Sequence, residues 1–80
     1  MRNKKRQYVY KISDVSQDND ELGFYSSMEN ALQFIINNYR VKGIRVSNLR
    51  SVVKKVGISW IKVNDDNVEL EVDRILLNTN

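Results

Sequence analysis

Eighty residues with thirteen Lys and Arg against ten Asp and Glu, a net charge of +3, are enough for one domain and too few for two. The chain has no cysteine, which removes disulfides, and no histidine, which removes the usual zinc ligand and the commonest general base. Hydrophobic content of 41% with 29% charged residues predicts a folded chain rather than a disordered one.

The opening Met1-Arg2-Asn3-Lys4-Lys5-Arg6 reads as a flexible basic arm. No secretory apolar stretch follows it, and no apolar run approaches the roughly 20 residues that span a bilayer. The expected location is therefore cytoplasmic. Gln7 to Ser13 reads as a strand, with Tyr8, Tyr10 and Ile12 alternating against Val9 and Lys11. Asp14 to Glu21 is polar and acidic, an exposed loop, and Leu22 to Tyr25 is a short second strand that closes a hairpin. Ser26-Ser27-Met28-Glu29 has the spacing of a capping box, with Ser26 as N-cap. The helix after it should reach about Tyr39, with Met28, Ala31, Leu32, Ile35 and Tyr39 on one face and Phe34 well off that stripe.

Val41 to Val46 is ambiguous: Gly43 can end the first helix, and Ile44 to Val46 can be a brief strand or a turn. Ser47 is a good N-cap for a second helix over Asn48–Val56, striped by Leu49, Val52, Val53 and Val56 and closed by Gly57. Ile58 to Val63 reads as a third strand, Asn64 to Asn67 as a turn, and Val68 onward as a strand alternating Val68, Leu70, Val72 with Glu69, Glu71, Asp73. Ile75 and Leu77 change phase, which predicts a bulge near Asp73 or Arg74. The expected fold is α+β, a small antiparallel sheet with two helices on one face, in the order β-β-α-α-β-β. It forms a single domain over residues 7–78 with a frayed tail at 79–80.

The stretch Gly23-Phe24-Tyr25-Ser26-Ser27-Met28-Glu29-Asn30-Ala31 and the ending Val72-Asp73-Arg74-Ile75-Leu76-Leu77-Asn78 resemble small uncharacterised phage and prophage proteins of Gram-positive bacteria. The resemblance covers about half the chain and implies a phage-type β-β-α-β-β domain into which residues 37–57 are an addition. It implies no activity and no functional residues.

Catalysis lacks equipment here: no His or Cys, no Gly-x-Ser-x-Gly, no Ser-x-x-Lys and no phosphate loop among three scattered glycines. Asp18-Asn19-Asp20-Glu21 begins like a calcium loop but has no glycine at its sixth position and no glutamate at its twelfth. The expectation is therefore a protein that is not an enzyme and takes no metal or other cofactor.

Charge is the strongest functional signal. No acid lies between Glu29 and Asp65, whereas Arg40, Lys42, Arg45, Arg50, Lys54, Lys55 and Lys62 do. The first six of these are the candidate site, suited to pairing with phosphates or carboxylates. Helix, turn and Ser-capped basic helix loosely resemble a helix-turn-helix, with the last strand pair as a wing. The leading expectation is a small binding module of phage or prophage type that docks residues 40–55 on nucleic acid or on an acidic protein surface. The alternative is an inhibitor or adaptor that meets a host protein through an exposed strand edge or the Phe34 face. Phe34 is the candidate partner or homodimer contact.

Overall fold

The computed structural model describes residues 7–77. Strand β1 (Gln7–Asp14) leads through a 3-10 turn at Val15–Gln17 into strand β2 (Asp20–Tyr25). Helix α1 (Met28–Asn38), helix α2 (Gly43–Val56), strand β3 (Ile58–Val63) and strand β4 (Val68–Leu77) follow. This is the expected α+β order, β-β-α-α-β-β. The basic arm expected at 1–6 and the tail expected at 79–80 lie outside the described residues.

Both hairpins form, and their antiparallel strands join into one sheet in the order β2-β1-β4-β3. The first and last strands are thus central neighbours, in register from Gln7 opposite Leu77 to Asp14 opposite Leu70. Cross-strand partners share a face. Ile12 faces Val72, which faces Ser59, and Leu70 faces Ile61; this face carries the buried Ile12, Ile61, Val63, Leu70 and Val72. Ala31, Leu32 and Ile35 of α1 and Leu49 and Val53 of α2 close over it. Neither α1 nor α2 covers the opposite face, where Lys11, Asp73 and Ile58 form one row and Ser13, Glu71 and Trp60 the next.

α2 lies chiefly over β3 and touches α1 sparsely. The β3–β4 hairpin is part of the floor beneath the helices, not a wing beside them.

Several boundaries differ from the pattern reading. Asp14 is part of β1 and caps the 3-10 turn, accepting bonds from the Ser16 amide at 3.0 Å and hydroxyl at 2.6 Å. The acidic loop is correspondingly shorter, and β2 starts at Asp20. The N-cap of α1 is Ser27, which accepts from the Asn30 amide at 3.1 Å. The box spacing points one residue early because β2 keeps its register through Tyr25, opposite Tyr10.

α2 begins at Gly43, not Asn48, so Ser47 is inside the helix and Lys42 is an N-cap without a side-chain bond. The earlier start lets Val46 extend the Leu49–Val53 stripe onto the core. Gly57 ends α2 as expected, at φ 95°. The bulge expected near Asp73 is absent. β4 alternates without a break, sending Ile75 to the uncovered face, and the register shift lies instead between β1 and β2 at Ile12/Ser13.

Candidate functional site

The turn between β3 and β4 organises the basic segment. Asn64, Asp65 and Asp66 all hold positive φ, 53°, 57° and 69°, a conformation that short polar side chains tolerate best. Asn64 grips the link between the helices twice. Its amide donates to the Arg40 carbonyl at 2.8 Å, and its side-chain oxygen accepts from the Arg40 amide at 2.8 Å. Beside this clamp, the Arg40 guanidinium meets Asp65 at 3.0 Å and that of Arg45 meets Asp66 at 2.5 Å. Arg45 also donates to the Lys62 carbonyl at 3.0 Å.

Arg40 and Lys42 from the link, Arg45 from α2 and Lys62 from β3 therefore surround one open cavity of about 410 Å³, with Asp65 and Asp66 at its rim. The other predicted cations do not join them. Arg50 pairs with Glu29 of α1, and Arg50 and Lys54 border a separate cleft with Tyr10 and Met28. Lys55 is exposed on α2 and lines neither space. Three arginines of the candidate set are thus paired with acids from outside the acid-free stretch. Among the described residues, Lys42, Lys54, Lys55 and Lys62 make no ion pair.

A second cavity, of about 260 Å³, continues from the first along the outer edge of β3. The two share Arg45 and Lys62. Leu49, Val52 and Ile61 give it an apolar floor, and Asn48, Ser59 and Trp60 complete it. Lys62, Trp60 and the acidic turn are absent from the candidate set. Lys62 was legible as a member of the acid-free stretch, but its position beside Arg45 depends on the α2–β3 reversal at Gly57.

Phe34 is half-buried, its ring 5.4 Å from Tyr25 and 6.2 Å from Tyr39. Its distance from the α1 stripe is explained by this aromatic cluster. Burial, and secondarily the negative charge of Asp14, raises the Tyr39 hydroxyl above the ordinary tyrosine value, so it stays protonated at neutral pH.

The bond from Arg45, and then its charge, holds Asp66 below the ordinary aspartate value. The group is exposed, and its contribution has a definite sign. It is present above the ordinary aspartate pKa and lost as pH falls through the lowered one. Carboxyl titration by NMR is expected to find Asp66 titrating below the ordinary range, and returning to it in Arg45→Gln. Identical midpoints in the two proteins would remove the Arg45–Asp66 bond from this account.

No group of three or more acidic or other metal-binding side chains is gathered among the described residues. No helix among them is long and apolar enough to cross a membrane. No protein-family model, no curated protein and no solved structure matches the chain.

Proposed function

We propose that the protein is a non-enzymatic binding module, of phage or prophage type, that docks the basin formed by Arg40, Lys42, Arg45 and Lys62 on an acidic protein surface. The observation that carries this reading is the meeting of four cations from three chain segments around one open cavity. Asp65 and Asp66 hold two of the four by bonds across the turn, so the guanidiniums are oriented before a partner arrives, and less ordering entropy is lost on binding.

A protein carboxylate suits the basin better than a nucleic-acid backbone. Duplex DNA presents a charge every ~1.7 Å along its axis and rewards a long row of unpaired cations. Here Arg50, Lys54 and Lys55 lie apart from the basin, and no such row forms.

The test compares binding of the full chain to polyglutamate and to a short DNA duplex over a salt series. Polyglutamate is expected to bind at low salt and to lose most of its affinity with Lys42→Glu plus Lys62→Glu, while DNA binds more weakly and is little affected by the same pair. Tighter DNA binding that the same reversal abolishes would replace the acidic protein by nucleic acid.

A further inference from the structure

β3 is one edge of the sheet, and the direction of its backbone groups can be read from two bonds. The Arg74 amide donates to the Gly57 carbonyl at 2.7 Å, in the same register that pairs Ile58 with Asp73. Backbone groups alternate in direction along an antiparallel strand. Gly57, Ser59, Ile61 and Val63 therefore face β4, while Ile58, Trp60 and Lys62 turn their amides and carbonyls outward. The Lys62 carbonyl independently fits this phase, since it is the one that Arg45 reaches from α2.

The two edges of the sheet are unlike. β2 is interrupted by the register shift at Ile12/Ser13 and begins with the acids Asp20 and Glu21, features that discourage strand addition. β3 keeps unbroken register over all six residues, holds no proline, and has cations at its far end. Its outward groups open beside the trough floored by Leu49, Val52 and Ile61.

We propose that β3 accepts an extended segment of an acidic partner protein as a fifth strand. The segment hydrogen-bonds to Ile58 and Trp60 and places an apolar side chain in the trough beneath α2. It sets a carboxylate at the Lys62 end among Lys42, Arg45 and Lys62. Strand addition of this kind takes its affinity from backbone bonds and its selectivity from alternate side chains. Arg45 already occupies the Lys62 carbonyl, so pairing ends there and the partner's acid competes with Asp66 for that guanidinium. Charge selects this occupant over a second copy of the chain, which would bring Arg45 and Lys62 of both copies to one seam. The proposal rests on the acidic-partner reading above and adds the backbone mode.

The probe is a blocked heptapeptide of alternating valine and glutamate, titrated into the full chain at millimolar concentration while backbone amides are followed by NMR. The amides of Ile58 and Trp60 are expected to shift and to gain protection from exchange, and that of Lys62 to shift. Trp60→Pro deletes an outward amide that no strand uses, so the sheet should keep its own bonds. Trp60→Ala, which loses the same indole but keeps the amide, is the reference, and Trp60→Pro is expected to bind the peptide about tenfold more weakly than that variant through lost strand pairing.

Equal binding by the proline and alanine variants, or shifts confined to the β2 edge, would overturn strand addition. So would the absence of any shift. Lys62→Glu separates the two levels of the argument. Loss of peptide binding in Lys62→Glu with none in Trp60→Pro leaves the charged basin standing and removes the strand.

Discussion

Leu70→Ala is expected to destabilise the protein by about 3–4 kcal/mol, the cost of a buried leucine truncated in a site that cannot collapse. Leu70 is fully buried on the central strand β4, between Asp14 of β1 and Ile61 of β3. Backbone on both sides holds the space open. Small domains have total stabilities of roughly 5–15 kcal/mol, so the loss is a large fraction of the whole. Thermal melting should fall by roughly 12–32 °C, at 4–8 °C per kcal/mol for a domain of this size. Leu76→Ala on the same strand is the control: its side chain is 54% exposed, and the expected change is within about 0.5 kcal/mol. Urea melts of the three proteins measure both values. A Leu70→Ala loss no larger than that of Leu76→Ala would move the centre of the core elsewhere.

Gly57→Val is expected to cost about 2 kcal/mol, the left-handed penalty for a residue with a branched Cβ. Gly57 holds φ 95° where α2 reverses into β3, and an added Cβ would lie 3.6 Å from the Arg74 guanidinium. That guanidinium donates to the Lys54 carbonyl at 3.0 Å at the end of α2 and lies 4.7 Å over the Tyr8 ring. The added Cβ is in ordinary contact there, so the cost comes from straining the left-handed reversal. Gly57→Asn should lose less, because asparagine tolerates the left-handed region better. Denaturation that ranks valine no worse than asparagine would remove the backbone argument.

Elements with a sustained period were legible before any coordinates. The alternation of Val68 to Asp73, the Ala31–Leu32–Ile35 stripe and the terminal glycine of α2 all depend on local chemistry, and they define the layers. What was not legible depends on partners distant in sequence. Ser47 is a strong cap by composition, yet α2 starts upstream, where Val46 gains the core and the clamp from Asn64 sets the link. The basic stretch is free of acids only along the chain. Asp65 and Asp66 reach Arg40 and Arg45 across 25 and 21 residues, and Glu29 reaches Arg50 between helices. A linear charge count cannot see those pairings, so it overstates the continuity of the positive surface. Phe34, off the α1 stripe, reads either as meeting a second packed element or as exposed, and Tyr25 and Tyr39, from outside that helix, are what it meets.

The central pairing of β1 with β4 has a consequence for how the chain is made. During synthesis the β1–β2 hairpin leaves the ribosome before the helices, and the strand that completes the middle of the sheet leaves after them. The core face of β1 must therefore wait, covered at most by the helices, until β4 has been made. Contacts this far apart close slowly, and a waiting unpaired strand is where a nascent chain is most open to aggregation. Asp18, Asp20 and Glu21 of that hairpin are exposed, and charges at a strand edge discourage association with other chains.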